Sequence, residues 1–160
     1  MKYFILTALL STLLISCGPY TFSGTTVTDI KSVYIPVLDN STIEFGLGEE
    51  LTDKITEALV ADNTLKVVGQ DEADAYISGE VVSYKRSSET YNKEDQVSEY
   101  RVDIGVKVKF VKADGSVVWE EPSISSYGLF TADTEIEENG KSRALEKIAE
   151  IIVNRTVRDW

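Results

Sequence analysis

Apolar and polar residues alternate one by one between residues 99 and 110, and this pattern predicts the clearest strand of the chain. A period of two places successive side chains on opposite faces of a strand. The apolar positions are Tyr100, Val102, Ile104, Val106, Val108 and Phe110. The positions between them are Glu99, Arg101, Asp103, Gly105, Lys107 and Lys109. We therefore expect an antiparallel sheet that is packed on one face and open to water or to a partner on the other.

Two longer segments, residues 44–61 and 134–158, repeat their apolar residues every three or four positions, which predicts amphipathic helices. The stripe of the first helix consists of Leu47, Leu51, Ile55, Ala58 and Leu59. The stripe of the second helix consists of Leu145, Ile148, Ala149, Ile152 and Thr156. Thr134 followed by Glu137 fits a capping box at the start of the second helix. Each helix thus has one apolar face to bury.

Other apolar runs rich in β-branched residues, of which 75–86 is a long one, predict further strands. They lie at residues 32–38, 65–68, 75–86, 117–119 and 124–129. Pro36 and Pro122 interrupt this pattern, and proline in a sheet is confined to edge strands and bulges. Asp114-Gly115 predicts a hairpin turn, whereas the polar segment 87–96 predicts an exposed loop.

The order of these elements is β-α-β-β-β-β-α, which predicts the α+β class. The simplest way to bury both stripes packs the two amphipathic helices on one face of a four- to five-stranded, mostly antiparallel mixed sheet. A length of 160 residues suits one domain rather than two. We therefore assign residues 31–160 to a single α+β domain.

Composition excludes most catalytic and metal chemistry. The chain has no histidine and one cysteine, which excludes histidine-based acid–base catalysis, histidine-activated nucleophiles and the usual zinc ligand sets. Its net charge is −11, from 16 Lys and Arg against 27 Asp and Glu, which argues against nucleic-acid binding. We expect no enzyme activity, no metal and no cofactor.

Two short motifs invite a ligand interpretation, but a structural one is better. Gly140-Lys141-Ser142 resembles the end of a phosphate-binding loop, yet Glu135 stands where that motif needs a glycine, so we expect an exposed helical turn. The acidic segment 71–74 lacks the alternating ligand spacing and turn glycine of a calcium loop, so we expect a solvated turn.

The N-terminus has the pattern of a signal peptide over residues 1–16, because Lys2 precedes an uncharged apolar run. The run covers residues 3–15, which is shorter than the ~20 residues that span a bilayer. It ends in Leu-Ile-Ser before Cys17, which resembles the bacterial lipobox and implies a covalent lipid on Cys17. We expect residues 17–30 to form a lipidated tether. Gly18 rather than aspartate follows the cysteine, so no inner-membrane retention signal is evident, and the run of charged residues that marks surface export in some lipoproteins is missing too. We therefore expect a periplasm-facing position on the outer membrane.

The candidate binding residues are the cations of the alternating strand, Arg101, Lys107 and Lys109. Lys85 or Arg86 would join them if the neighbouring strand pairs suitably. Such a group suits an anionic lipid head group. The competing interpretation is a solvated face of mixed charge, which Glu99 and Asp103 favour.

Seven segments of the chain resemble, in order and spacing, the lipopolysaccharide-assembly lipoprotein family, LptE. They are CGPYTFSG (17–24), IKSVYIP (30–36), NST (40–42), LTDKITEAL (51–59), ADAYISGEVVSY (73–84), YRV (100–102) and VWE (118–120). The resemblance implies a non-enzymatic outer-membrane lipoprotein that partners and plugs a large β-barrel translocon, LptD. It further implies a role in lipopolysaccharide assembly and contact with lipopolysaccharide through basic residues.

Two other hypotheses remain. One is a periplasmic lipoprotein that regulates a cell-wall synthase, like the activators of penicillin-binding proteins; the tether after Cys17, about a dozen residues, is short for reaching through peptidoglycan. The other is a hydrolase that uses only carboxylates, for which the chain shows no binding-site pattern.

Overall fold

The structure is a computed structural model that describes residues 30–158. The predicted signal peptide, Cys17 and all of the predicted tether except Ile30 lie outside the described residues. Six strands and two α-helices are found within them, with a short 3-10 turn, Gln70–Glu72, after the third strand. In chain order they are β1 (Ser32–Tyr34), β2 (Asp39–Asn40), α1 (Leu47–Asp62), β3 (Lys66–Val67), β4 (Ala75–Tyr91), β5 (Val97–Lys112), β6 (Val117–Thr131) and α2 (Glu137–Arg158).

The strands form one mixed sheet in the order β3-β1-β4-β5-β6, with β2 also beside β4. The three long strands β4, β5 and β6 make an antiparallel meander, whereas β1, β2 and β3 are short and parallel to their neighbours. This confirms the α+β class. The strand count is six because the predicted run 32–38 ends as a strand at Tyr34, and the chain rejoins the sheet at Asp39–Asn40.

Both helices lie on one face of the sheet, and their apolar stripes form the core with the apolar face of β5. The five positions Val102, Ile104, Val106, Val108 and Phe110 are buried, as the alternation predicts. The buried stripe residues of the helices are Leu47, Leu51, Ile55, Leu59, Leu145, Ile148, Ala149, Ile152 and Thr156. Each large aliphatic side chain buried here contributes roughly 1.5–3 kcal/mol. Among the described residues, neither helix is long and apolar enough to cross a membrane.

The prediction of a loop over residues 87–96 is wrong for its first half, because β4 continues to Tyr91. The end of β4 pairs with β5 through Ser88 and Tyr91, and its side chains are exposed. Neither face of this end is buried, so its residues are polar on both sides and show no strand period. The turn itself is short and is held by Asn92, whose Oδ1 accepts hydrogen bonds from the backbone N–H groups of Glu94 and Gln96.

The turn and proline signals of the second hairpin are confirmed. Gly115 has a φ of 88°, and the backbone N–H of Ser116 donates to Asp114 Oδ1 at 2.8 Å. Pro122 lies on the edge strand β6 at a bulge, since Val106 pairs with Ile124 but Val108 pairs with Glu121. The two predicted strands on either side of Pro122 are therefore one strand.

Helix α2 begins at Glu137, two residues later than an N-cap at Thr134 predicts. Asn139, the third residue of the helix, reaches back to the residue before the helix, because its Oδ1 accepts the backbone N–H of Ile136 at 3.0 Å. Two cations of α2 then bind carbonyl oxygens of the edge strand: Arg143 donates to Leu129 O, and Lys147 donates to Tyr127 O at 2.9 Å. These contacts occupy part of the edge of β6, which would otherwise be free to pair with another strand.

Helix α2 crosses β6 at two glycines, and only glycine permits this approach. A Cβ atom on Gly128 would lie 2.0 Å from the carbonyl oxygen of Gly140, and one on Gly140 would lie 2.8 Å from Phe130. The backbones are thus in direct contact, and this contact fixes the distance between the second helix and the sheet.

The glycine contact predicts that Gly128→Ala lowers the free energy of unfolding by roughly 1–3 kcal/mol, because the helix must move away from the strand. The measurement is denaturant unfolding. Gly69→Ala is the matched control: its φ is −69° and nothing lies within 4 Å of its Cβ position, so we expect no loss. Equal stability of the two variants would contradict the contact.

The ion pair between Glu135 and Arg143 predicts a pH dependence. Arg143 holds the pKa of Glu135 at about 2, below its usual 4.5. Because the folded-state pKa is the lower one, the stabilisation is complete above pH 4.5 and is lost as the pH falls to about 2. Glu135→Gln should therefore unfold with a weaker pH dependence than the wild type in this range. Identical urea midpoints at every pH would contradict this prediction.

Candidate functional site: the open face of the sheet

The meander exposes the sheet face that points away from the helices, which we call the open face. Its residues follow from the cross-strand register, because directly paired residues share a face. On β4 they are Ser78, Glu80, Ser83, Lys85 and Ser87; on β5 they are Arg101, Asp103, Gly105, Lys107 and Lys109; on β6 they are Glu120, Ser125, Tyr127 and Leu129. The three predicted cations thus lie on one uncovered surface.

Lys107 is paired with an acid of the neighbouring strand. Its Nζ lies 2.5 Å from Glu80 Oε2, and the two residues are directly opposite in the β4–β5 register. Hydrogen bonds from Lys107 and then Ser41 lower the pKa of Glu80 below its usual value. Glu80 therefore carries a negative charge at neutral pH that offsets the positive charge of Lys107.

Arg101 is held in a fixed orientation at the other end of the face. Its guanidinium donates to both carboxylate oxygens of Asp103 at 2.8–3.0 Å. The same group lies over the ring of Tyr127, 3.8 Å from the ring centre, and 4.0 Å from Glu89. A bidentate pair with a stacked ring is among the more rigid arrangements available to arginine.

Lys109 differs from the other two cations. Among the described residues no ion pair involves it, and it stands between Ser78 and Glu120 in the sheet register. Along a strand, Lys107 and Lys109 are about 7 Å apart, whereas Arg101 lies about 20 Å from Lys107. One phosphate group could contact the two lysines together, but not all three cations.

Strand β4 places Lys85 on the open face and Arg86 on the opposite face. Lys85 pairs directly with Asp103 and so lies on the open face. Arg86 lies on the opposite side, where its guanidinium is 4.2 Å from the Tyr100 ring centre and 3.2 Å from Glu137. The face therefore carries cations and acids in alternation, as the mixed-charge interpretation expects. The predicted role of Arg101, Lys107 and Lys109 as head-group ligands stays a prediction.

The prediction of an exposed turn at Gly140-Lys141-Ser142 is wrong, because this turn of α2 faces the protein interior. Lys141 is only 5% exposed. Its Nζ lies 2.5 Å from Glu44 and 2.6 Å from Glu138. The sequence held a signal that was missed: Lys141 precedes Leu145 and Ile148 by four and seven positions, which places it on the apolar stripe.

The buried ammonium group of Lys141 organises the region where both helices begin. Burial alone would lower the pKa of Lys141, but the hydrogen bonds that its ammonium group donates to Glu138 and Glu44 outweigh this effect, so the pKa of Lys141 is raised. Glu50, in the first turn of α1, has a raised pKa because of its own burial and the nearby charge of Glu138. Lys141 is thus the cation that keeps several acids together at this end of the molecule.

The acidic segment 71–74 has a structural role through Asp74. Asp71, Glu72 and Asp74 are exposed, as predicted, and Asp74 Oδ2 accepts hydrogen bonds from the backbone N–H groups of Lys31 and Ser32, both at 2.9 Å. These bonds lower the pKa of Asp74 and hold the start of β1 beside β4. Within residues 30–158, no group of three or more potential metal ligands could hold a metal ion.

Comparison with known proteins identifies the family. The sequence profile of the lipopolysaccharide-assembly family, LptE, matches residues 30–159. The chain belongs to this family. The match covers the whole sheet and both helices, so the resemblance to LptE is confirmed; six of the seven segments lie within it, and the segment 17–24 lies outside it. No curated protein matches the sequence significantly.

Solved structures confirm the fold of this LptE-family chain. A protein from Xanthomonas campestris has a TM-score of 0.59 at 12% identity, over 80% of this chain and 84% of that one. A hypothetical protein from Chlamydia trachomatis has a TM-score of 0.57 at 10% identity, over 79% and 95% of the two chains. A minor lipoprotein from Acinetobacter baumannii has a TM-score of 0.50 at 13% identity, over 81% and 93%. At these identities the likeness shows a shared fold alone.

The buried lysine predicts that Lys141→Met destabilises the domain by roughly 1–3 kcal/mol, because Glu44 and Glu138 lose the charge that they share. Denaturant unfolding measures the loss. The control is Lys54→Met, which removes a half-buried lysine from a pair with the exposed Glu57 at 3.8 Å and should change stability by less than about 0.5 kcal/mol. A Lys141→Met protein as stable as the control would show that the cluster is dispensable.

Proposed function

We propose that this LptE-family protein is a non-enzymatic outer-membrane lipoprotein that partners and plugs the lipopolysaccharide-translocon barrel, LptD. In this position it assists lipopolysaccharide assembly at the outer membrane. The observation that carries the proposal is the match of the family profile over residues 30–159, together with the sheet face that the fold leaves uncovered.

The chemistry of the open face supports binding to the inside of a barrel. Outer-membrane barrels have polar interiors, so a plug needs a polar surface rather than an apolar one. The open face offers ion pairs at both ends and small polar residues, Ser83 and Ser125, beside Gly105 in its centre. A surface of this kind can exchange hydrogen bonds with a polar wall without burying unpaired charge.

The same ion pairs support a non-enzymatic role. A carboxylate that acts as a general acid near neutral pH needs a raised pKa. On the open face the pKa of Glu80 is instead lowered by Lys107, and both oxygens of Asp103 are occupied by Arg101. Glu80 is therefore suited to a fixed negative charge rather than to a proton donor, and the carboxylate of Asp103 is engaged by Arg101.

The lipid on Cys17 would supply the anchor in this proposal. Residues 17–29 separate Cys17 from the first described residue and could span at most about 45 Å. One acyl chain binds a membrane only marginally, whereas two or more hold it stably. A short anchored tether of this kind keeps the domain close to the membrane in which the barrel is embedded.

Direct contact with lipopolysaccharide is the finer part of the proposal. Lys107 and Lys109 together could accept one phosphate of the head group, with Arg101 available for a second anionic group farther along the strand. The acids Glu80 and Glu120 next to the two lysines weaken such a site. We therefore expect lipopolysaccharide contact to be secondary to contact with the barrel.

The test of the proposal is purification of the tagged, lipidated full-length chain from detergent-solubilised outer membranes. We expect a large β-barrel protein to co-purify and to be identified by mass spectrometry. The matched variants are Ser125→Trp, a bulky group in the centre of the open face, and Asn154→Trp, the same group on the exposed side of α2.

Barrel recovery should fall about tenfold for Ser125→Trp, because the large side chain separates the two surfaces, and should be unchanged for Asn154→Trp. Both positions are exposed, so thermal unfolding should remain close to wild type for each variant. Recovery of no barrel protein by the wild type would contradict the proposed function. Equal recovery by both variants would exclude the open face as the interface.

A further inference from the structure

The loop that joins β2 to α1 has an inverted pattern of burial. Ile43 and Phe45 are each 92% exposed. Thr42, which precedes Ile43, and Glu44, which stands between the two apolar residues, are half-buried and hydrogen-bonded. A single exposed apolar side chain is ordinary, but two large ones at full exposure in one tight loop are not. We call Ile43 and Phe45 the apolar knob.

The backbone that carries the knob is fixed by its polar residues. Asn40 Nδ2 donates to the carbonyl oxygen of Glu44 at 2.7 Å, and Asn40 Oδ1 accepts hydrogen bonds from the backbone N–H and the hydroxyl of Thr42. On the strand side, the backbone N–H of Ser41 donates to Val81 O at 3.0 Å. The loop is therefore closed by its own hydrogen bonds and tied to the sheet.

The helix side of the loop is equally constrained. A Cβ on Gly48 would lie 2.2 Å from Leu38 O, and Thr52 Oγ1 accepts the backbone N–H of Leu38 at 3.0 Å. Glu44 is bound by the buried Lys141 of α2. The apolar knob thus projects from a rigid frame that joins the sheet to both helices, which lowers the entropy lost when it docks.

The charges around the knob indicate which kind of binding surface it suits. Glu44 lies within the loop, Glu49 and Glu50 follow in the first turn of α1, and Glu138 shares Lys141 with Glu44. An acidic surrounding of this kind opposes insertion into a membrane that carries anionic lipids. It complements a protein pocket that is apolar inside and basic at its rim.

We infer that the Ile43–Phe45 knob docks into an apolar pocket, rimmed by lysine and arginine, on a partner protein. The inference rests on the proposed function in one respect: the barrel protein is the partner that we expect to carry the pocket. The knob would then be an apolar anchor at the edge of an interface whose larger part is the polar open face.

The test places a photo-reactive amino acid at position 43, 45 or 60 of the lipidated full-length chain in living cells. Val60 is the control, because it is an apolar residue of α1 that is 61% exposed and lies outside the knob. We expect positions 43 and 45 to cross-link to the barrel protein, within a segment that contains apolar residues and lysine or arginine, and position 60 to give no such product.

Barrel recovery by substituted proteins gives a quantitative test. Ile43→Ser with Phe45→Ser should lower barrel recovery about tenfold, whereas Val60→Ser should leave it unchanged. Because the knob side chains contact almost nothing within the domain, thermal unfolding should be unaltered in both proteins. Barrel recovery by the wild type should also decrease at high salt, since salt screens the acidic rim.

The outcomes separate this inference from the proposed function. If wild type and knob variant recover the barrel equally, the knob inference is overturned and the proposed function stands. Cross-links from positions 43 and 45 to lipid, or to a second copy of this chain, overturn the inference as well. If the wild type recovers no barrel protein and the knob gives no cross-link to one, both fail.

Discussion

The packing of two apolar helix stripes on one face of the β4–β5–β6 meander is the interaction on which the rest of the structure depends. The distance between α2 and β6 is fixed by the backbone contact between Gly140 and Gly128, which leaves no room for a side chain. Since both helices are used on the same face, the opposite face has no cover within the described residues. That asymmetry leaves a polar sheet face that is accessible to a partner, in a chain that belongs to the LptE family.

Most of the fold could be predicted from the sequence because its strongest signals are local. The period of two along β5 and the stripes of the two helices reflect burial that is the same along each element. Where burial changes within an element, prediction failed. The far end of β4, up to Tyr91, is uncovered on both faces and looked like a loop, whereas Lys141 is a charged residue on a buried stripe and looked like an exposed turn.

The candidate site was predictable in position but not in its interactions. The alternation correctly placed Arg101, Lys107 and Lys109 on one uncovered face. It could not show that Glu80 of the neighbouring strand would neutralise Lys107, because strand register depends on contacts between distant residues. The apolar knob was missed for a related reason: the alternation at residues 42–45 has a strand-like period, and only the fold reveals that its polar side faces inward.

The central claim is that the helices seal one sheet face while a partner covers the other. The most direct measurement is maleimide labelling of single cysteines, one at Lys107 on the open face and one at Glu150 on the exposed side of α2. Cys17 is the only native cysteine, and in this account its sulfur carries lipid. Both cysteines should label rapidly in the purified protein, and in cells the open-face cysteine should label several times more slowly than the helix cysteine. Equal and rapid labelling of both in cells would contradict the account.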